Sequence, residues 1–165
     1  MRRRLFVLGF GVAGLGLAPA FAGAFERSPE EACAYLADEG LSAVDRYREY
    51  RDGQYYCWSL RKEIATGDSK RHYLRYEAQG SADQVSRLTL DLRVVSASEV
   101  QAAHKAFLGH VKALVKQALG EDPPPPLDAA VMAGRPGRWP LAGADLVLEK
   151  ANTQGASYDL VFRIQ

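Results

Sequence analysis

Two carboxylates near the end of the chain are the residues whose spacing comes closest to a chemical site. Segments 145–150 and 157–165 both have a strand-like pattern, and pairing residue 148 with residue 160 aligns their apolar faces. This register predicts that Glu149 lies opposite Asp159. Neighbouring carboxylates can share a proton, hold a hard cation or divide acid and base roles. The pair is therefore the candidate metal site and, with His72, the candidate site of a small hydrolase.

Arginines offer a different interpretation of the same region. Arg87, Arg93 and Arg163 fall on solvent-facing strand positions, where they would neutralise the two carboxylates. Arginine and tryptophan are also frequent at binding hot spots. The predicted binding residues are Arg87, Arg93, Arg135, Arg138, Trp139 and Arg163. Trp139 lies within a predicted Gly- and Pro-rich loop at 134–140, and a place in the core is its alternative role.

Other catalytic patterns are missing from the sequence. There is no nucleophile elbow, phosphate-binding loop, zinc-protease helix or EF-hand loop. His104 and His110 are six residues apart on a predicted helix, so they point in different directions and do not readily share a metal ion. We therefore expect no cofactor and favour a non-catalytic role over an enzymatic one.

The N-terminus has the organisation of a secretory signal peptide. Three arginines at positions 2–4 precede an apolar run from Leu5 to Phe25 that contains small residues at Ala20 and Ala22. We predict cleavage after Ala22, which leaves residues 23–165 as one domain, with cleavage after Ala24 nearly as favourable. An uncleaved anchor is the alternative, since about 20 apolar residues span a bilayer. Either form places the domain outside the cytoplasm, in the periplasm or the medium.

Export would allow the two cysteines of the chain to form a structural disulfide. Thiols pair in oxidising compartments, and Cys33 and Cys57 are the two cysteines of the chain. Their separation does not resemble the closely spaced pairs of redox enzymes. We predict a Cys33–Cys57 disulfide that stabilises the fold by roughly 3 to 3.5 kcal/mol in the chain-entropy model.

Hydrophobic periodicity predicts the elements that carry these residues. Ser28 and Glu31 form a capping box for a short first helix, and Ser96 and Glu99 form a second box for a long helix at 97–119. Between them lie three strand-like runs, and two more strands follow the long helix. The clearest run alternates leucines with Arg87, Thr89, Asp91 and Arg93. The predicted strands span 55–61, 72–79, 85–95, 145–150 and 157–165.

These elements predict an α+β fold in the order α-β-β-β-α-β-β. About five strands form a largely antiparallel sheet, and the long helix covers one of its faces. Hydrophobic residues make up 47% of the chain and charged residues 25%, which excludes a disordered or fibrous protein. The net charge of +1 argues against a dedicated nucleic-acid binder.

The element order is similar to the topology of type III secretion chaperones. Three segments also resemble an uncharacterised family of exported alphaproteobacterial proteins: Gln54 to Trp58, Gly80 to Val85 and Tyr158 to Arg163. The first resemblance implies the α/β topology and the second implies export. Neither implies an activity or site residues, and the cytosolic role of secretion chaperones conflicts with the predicted signal peptide.

Taken together, the sequence predicts an exported, non-catalytic binding or accessory protein of the cell envelope. We expect its partner to be another envelope or secreted protein, with no nucleic acid and no stable membrane anchor after cleavage. A small ligand or lipid held between sheet and helix is the second hypothesis. The small hydrolase built on Glu149 and Asp159 is the third.

Overall fold

A single antiparallel sheet organises the part of the chain that the structure, a computed structural model, describes: residues 27–64 and 71–165. The strands run β1 (Arg48–Arg51), β2 (Gln54–Trp58), β3 (Lys62–Ile64), β4 (His72–Gly80), β5 (Val85–Val94), β6 (Gly137–Leu141), β7 (Ala144–Gln154) and β8 (Ser157–Ile164). Their order in the sheet is β1-β2-β4-β5-β8-β7-β6, and β3 pairs beside β4. The predicted α+β class is confirmed, but the expected count of about five strands is wrong, since the sheet has eight. The predicted signal peptide, 1–22, lies outside the described residues.

Three helices cover one face of this sheet. They are α1 (Pro29–Ala34), α2 (Val100–Leu119) and α3 (Pro125–Ala133). The apolar stripe of α2 packs its Phe107, Val111 and Leu114 against the leucines of β5, and all are inaccessible to solvent. Burying a side chain of this size contributes about 1.5 to 3 kcal/mol. We call the helix-covered side of the sheet the covered face.

The first helix is capped and stapled as the sequence predicts. The Glu31 N–H donates to the Ser28 hydroxyl at 3.3 Å, and the Ser28 N–H donates to the Glu31 carboxylate at 2.9 Å. A disulfide joins Cys33 of α1 to Cys57 of β2, with the two Cα atoms 6.0 Å apart. Tyr76 of β4 adds a buried hydrogen bond from its hydroxyl to the Ala32 carbonyl at 2.6 Å. Helix α1 is thus fixed to the sheet at two points.

The second predicted capping box does not form. Helix α2 begins at Val100 rather than Ala97, because Glu99 takes a left-handed backbone conformation with φ of 62° and caps nothing with its side chain. The Ser96 hydroxyl instead lies 2.8 Å from the hydroxyl of Ser98. Gly120 ends the helix with φ of 72°, a conformation that favours glycine.

The final hairpin differs in register from the prediction. Leu148 pairs with Phe162 rather than with residue 160, and Gln154 pairs with Ser157 across a two-residue turn. The register shifts between Ala151 and Gln154, where Asn152 has φ of 49°. The displacement is two residues, so each side chain keeps its predicted face while its partner changes.

Candidate functional site

The face opposite the helices is the candidate functional surface. No described helix covers it, and polar side chains occupy its alternating positions. We call it the open face. Its central positions are Tyr73, Arg75, Glu77 and Gln79 on β4, Arg87, Thr89, Asp91 and Arg93 on β5, and Asp159, Val161 and Arg163 on β8. A mixed-charge surface of this kind favours recognition over catalysis.

The open face brings together four of the predicted binding residues. Arg87 and Arg93 lie on the same face of β5, six residues apart, and Arg163 lies on the neighbouring β8. Arg138 joins them from β6, since it pairs with Val147, which in turn pairs with Arg163. Arg87 is exposed, so its guanidinium group is available to a partner.

The remaining two predicted binding residues do not belong to this surface. Trp139 pairs with Leu146 and packs half-buried against the core on the covered face, where its ring lies beside Gly137. Its alternative role as a core residue is therefore the correct one. The segment 137–141 that carries Trp139 is strand β6 rather than a loop. Arg135 is exposed between α3 and β6, away from the open face.

The predicted carboxylate pair does not form. Because of the two-residue displacement, Glu149 pairs with Val161 and Asp159 pairs with Ala151. Each carboxylate has its own arginine: Arg163 donates to Glu149 at 2.5 Å, and Arg93 donates to Asp159 at 2.9 Å. Within the described ranges, no group of three or more His, Cys, Asp or Glu side chains is arranged to hold a metal ion.

His72 is separated from both carboxylates by the sheet. It is fully buried on the covered face, and its Nδ1 accepts a hydrogen bond from the Val95 N–H at 3.2 Å. Glu149 and Asp159 lie on the open face. The hydrolase site that combines these three residues is therefore wrong.

A pocket of about 280 Å³ opens at the centre of the open face. Its polar lining consists of Arg61, Tyr73, Arg75, Asp91, Arg93 and Asp159. Asp91 pairs directly with Arg75 across the β4–β5 ladder, and Arg93 pairs with Asp159 across the β5–β8 ladder. One side-chain oxygen of Asp91, Oδ1, is buried without a hydrogen-bond partner.

The electrostatics of this pocket are unusual at Asp91. Burial is the largest cause that raises the pKa of Asp91 to about 6; the nearby Asp159 also raises this pKa, while Arg61, Arg75 and Arg93 lower it. A carboxyl group with a raised pKa inside a cleft is a common property of functional sites. The sequence pattern correctly predicted that Asp91 lies on the solvent-facing side of its strand, but it did not identify Arg61 and Arg75 as neighbours of Asp91. Arg75 could have been found by pairing the predicted strands β4 and β5 across the turn at 81–84.

An aromatic cluster adjoins this pocket at the β1–β2 end of the open face. Tyr50, Tyr56 and Trp58 have ring centroids 4.7 to 6.4 Å apart. Tyr50 is 60% exposed. Arg75 lines both the central pocket and a second pocket that includes Tyr50 and Tyr56. Aromatic and arginine side chains thus form one continuous strip of the open face.

The lysines of the described residues lie on the helical side of the sheet, whereas arginines occur on both sides. Among the described residues, the cations on the open face are arginines, including 61, 75, 87, 93, 138 and 163. Lysines 105, 112 and 116 lie on α2, and Lys62 contacts the Glu39 carbonyl. Lys150 lies over the ring of Tyr158, whose hydroxyl is hydrogen-bonded to His104 of α2. Arginine binds planar anions with two parallel hydrogen bonds and is enriched at interfaces, where lysine is depleted.

Comparison with known proteins adds no assignment to these observations. The sequence matches no protein-family model and no curated protein, and the fold matches no solved structure. The resemblances to secretion chaperones and to exported alphaproteobacterial proteins therefore stay predictions. The Cys33–Cys57 disulfide fits a compartment outside the cytoplasm. In the part of the chain that the structure describes, no helix is both long and apolar enough to cross a membrane.

Proposed function

We propose that this chain is an exported, non-catalytic binding protein of the cell envelope that holds a protein partner on the open face of its sheet. The observation that carries the proposal is the collection of arginines on the open face, while the described lysines lie on the helical side of the sheet. The two carboxylates predicted to form a catalytic site are each paired with a separate arginine instead. Arginines and aromatic side chains lie together on the face that no described helix covers.

The size of the open face supports a protein partner. Seven strands lie side by side in the main path of the sheet, and at about 4.8 Å between neighbours they span about 30 Å. Strands β4 and β5 contain nine and ten residues, or about 30 Å each. Allowing for shorter edge strands, the face offers roughly 600 to 900 Å², close to the approximately 800 Å² that each partner buries in a standard interface.

The interior of the fold gives less support to a lipid or another apolar ligand. The space between α2 and the sheet is filled by side chains that have no solvent exposure, including Leu90, Leu92, Phe107 and Leu114. A ligand of that kind would need to displace them. We therefore favour the open face over the layer between helix and sheet as the binding site.

The partner can be tested by chemical crosslinking with the oxidised domain, residues 23–165, in the envelope fraction of its own cells. The test variant is Arg87→Glu with Arg163→Glu, which reverses two charges on the open face. The matched control is Lys105→Glu with Lys116→Glu, which makes the same charge change on α2. Mass spectrometry quantifies each captured protein.

We expect one protein to be captured in stoichiometric amount by the wild type and the α2 control, and at least about tenfold less by the open-face variant, since a mismatched charge at an interface costs several kcal/mol. Circular dichroism confirms that both variants are folded. Equal capture by all three proteins would reject the open face as the binding surface. Capture of background proteins alone would reject a protein partner.

A further inference from the structure

The central pocket has the dimensions of a site for a small chemical group. Its volume of about 280 Å³ falls just below the range of about 300 to 1,000 Å³ that drug-sized ligands occupy. Its walls are mainly polar and charged. The basic lining residues are Arg61, Arg75 and Arg93, and the acidic ones are Asp91 and Asp159. A pocket of this composition suits a charged group rather than an apolar one.

The ion pairs within the pocket leave hydrogen-bond donors on two of its three arginines. Arg93 donates to Asp159 at 2.9 Å, and Asp159 also accepts a hydrogen bond from the Asn152 amide at 2.5 Å. Arg75 forms an ion pair with Glu77 at 3.7 Å, a distance too long for a hydrogen bond. Arg61 makes no ion pair with any other residue in the described ranges. The guanidinium groups of Arg61 and Arg75 therefore retain donors for an anion.

The protonation state of the Asp91 carboxyl group affects whether an anion can bind in the pocket. When it is ionised, its charge opposes a second anion in the same pocket. When it is protonated, the opposition disappears and the carboxyl group becomes a hydrogen-bond donor. Its charged or titratable neighbours are Arg75 and Tyr73 on β4, Arg93 on β5, Asp159 on β8 and Arg61 before β3. Glu77 follows on β4 as the next acidic group along the open face.

We propose that the central pocket is a carboxylate-binding site in which Arg61 and Arg75 hold the anion and Asp91 must be protonated before the anion binds. The inference goes beyond the proposed protein partner, because a free carboxylic acid and an acidic side chain satisfy the same contacts. The Oδ1 atom of Asp91 is buried without a hydrogen-bond partner, which favours the protonated carboxyl group over the ionised one at this wall of the pocket.

A carboxylate fits this pocket better than a phosphate group. Its planar pair of oxygens matches the guanidinium fork, and its single negative charge balances the two available arginines against the nearby acidic groups. The dianionic form of phosphate, which predominates at neutral pH, would also be repelled by the carboxylate of Asp159 in the pocket lining, which raises its free energy of binding. The pocket therefore selects a singly charged, planar anion.

The pKa of Asp91, about 6, sets the pH range of the effect. About three quarters of the Asp91 side chains are protonated at about pH 5.5 and about 3% at about pH 7.5, so the apparent affinity for an anion falls about twentyfold between these values. By the same linkage, a bound anion raises the pKa of Asp91. A residue with only a structural role would show neither effect.

Sodium acetate is the first probe, titrated at constant ionic strength into the oxidised domain and followed by NMR at the Asp91 carboxyl carbon and the arginine side chains. We expect binding about twentyfold tighter at about pH 5.5 than at about pH 7.5. Asp91→Asn replaces the protonated carboxyl with a neutral group of the same shape. This variant should bind acetate equally at both pH values, with the affinity of the wild type at low pH.

The control variants separate the pocket from the rest of the face. Arg61→Gln and Arg75→Gln should each weaken acetate binding at least about tenfold, because each removes a charged donor. Arg48→Gln changes an exposed arginine that pairs with Tyr56 on the same face, outside the pocket lining, and it should leave acetate binding unchanged. Absence of acetate binding at low pH, or an Asp91→Asn variant that keeps the wild-type pH dependence, overturns the proposal. Tighter binding of inorganic phosphate than of acetate overturns the choice of a carboxylate.

Two further probes distinguish the possible sources of the carboxylate. A capped tripeptide with a central aspartate represents an acidic side chain of a partner, and propionate represents a free organic acid with a single charge. Whichever probe binds more tightly than acetate identifies the source, and either result supports the site. These titrations use no protein partner, so failure of the crosslinking experiment and failure of the carboxylate site are separate results.

Discussion

Asp91 is a carboxyl group partly withdrawn from water at the centre of the open face. Burial and the neighbouring Asp159 raise its pKa from the ordinary value of 3.8 to about 6. The unfolded chain releases this proton at a lower pH than the native protein does. The contribution of Asp91 to stability is therefore fully present below about pH 3.8 and is lost as the pH rises through about 6. At neutral pH the native protein tolerates an ionised group that its surroundings do not fully balance.

The first prediction is that Asp91→Asn stabilises the protein at about pH 7.5 and leaves its stability unchanged at about pH 3.5. A shift of about two pKa units corresponds to at most about 3 kcal/mol, and the partial exposure of Asp91 reduces the expected gain to about 1 to 2 kcal/mol. Urea unfolding at the two pH values measures the difference. The exposed Glu121→Gln should change neither value. An equal gain for Asp91→Asn at both pH values would contradict the electrostatic explanation.

On the covered face, His104 links three elements through both of its ring nitrogens. Its Nδ1 donates to the Met132 carbonyl of α3 at 3.0 Å, and its Nε2 accepts from the Tyr158 hydroxyl of β8 at 2.7 Å. Burial lowers the pKa of His104, which keeps the ring neutral in this arrangement. Its contribution to stability is thus present above the ordinary pKa of about 6.5 and is lost as the pH falls.

The second prediction concerns this hydrogen bond. Tyr158→Phe should lower the free energy of unfolding by about 1 to 2 kcal/mol at about pH 7.5, because the buried Nε2 of His104 loses its donor. Tyr50→Phe serves as the control, since that ring is 60% exposed at the sheet edge, and it should have an effect below about 0.5 kcal/mol. Urea unfolding measures both. Equal losses in the two variants would show that the hydrogen bond of Tyr158 makes no specific contribution.

At the scale of the elements, the disulfide determines how firmly α1 is held. Helix α1 has only six residues, too few to be stable without tertiary contacts. The third prediction is that replacing both Cys33 and Cys57 by alanine lowers the free energy of unfolding by about 3 kcal/mol. Reducing the wild type should produce a similar loss, and the double variant should not respond to the reductant. Identical urea midpoints for oxidised and reduced wild type would contradict this role.

The long elements were predictable because their side chains alternate or repeat with a clear period. Strand β5 places its leucines on one face, and α2 carries its apolar residues at helical spacing. Strands β1, β3 and β6 gave no such signal. The residues of β1 are all exposed, β3 has only three residues, and β6 contains Pro140. These short strands exist because a neighbouring strand supplies their hydrogen bonds, which no local pattern records.

For the candidate site, the sequence could predict on which face of the sheet each side chain lies, but not which residues pair across neighbouring strands. Alternation correctly placed Arg87, Arg93 and Arg163 on one surface. The pairing of β7 with β8, however, depends on a bulge at Asn152 and a two-residue turn. A slip of two residues keeps each apolar face in the core, so hydrophobic pattern alone does not choose between the two registers. For this reason the proposed Glu149–Asp159 pair was wrong although both residues lie on the predicted face.

At the scale of the whole molecule, the sheet has a well-supported centre and a weaker β1 edge. Strand β5 is paired on both sides, by β4 and β8, and its inward side chains are completely buried. Strand β1 is paired only with β2, and its four residues are all exposed. Its Tyr50 nevertheless completes the aromatic cluster with Tyr56. One end of the open face is therefore built on an exposed edge strand that is paired on one side only.

The fourth prediction is that the amide hydrogens of β1 exchange at least about 100-fold faster than those of β5, because β1 can open locally while β5 exchanges only on global unfolding. Hydrogen–deuterium exchange with mass spectrometry measures both. Strand β6 is the matched control, since it is also an edge strand but packs Trp139 against the core, and it should exchange at an intermediate rate. If β1 is as protected as β5, the edge is not a weak element. If a captured partner covers the open face, it should slow exchange in β1, since Tyr50 and Tyr56 lie on that face.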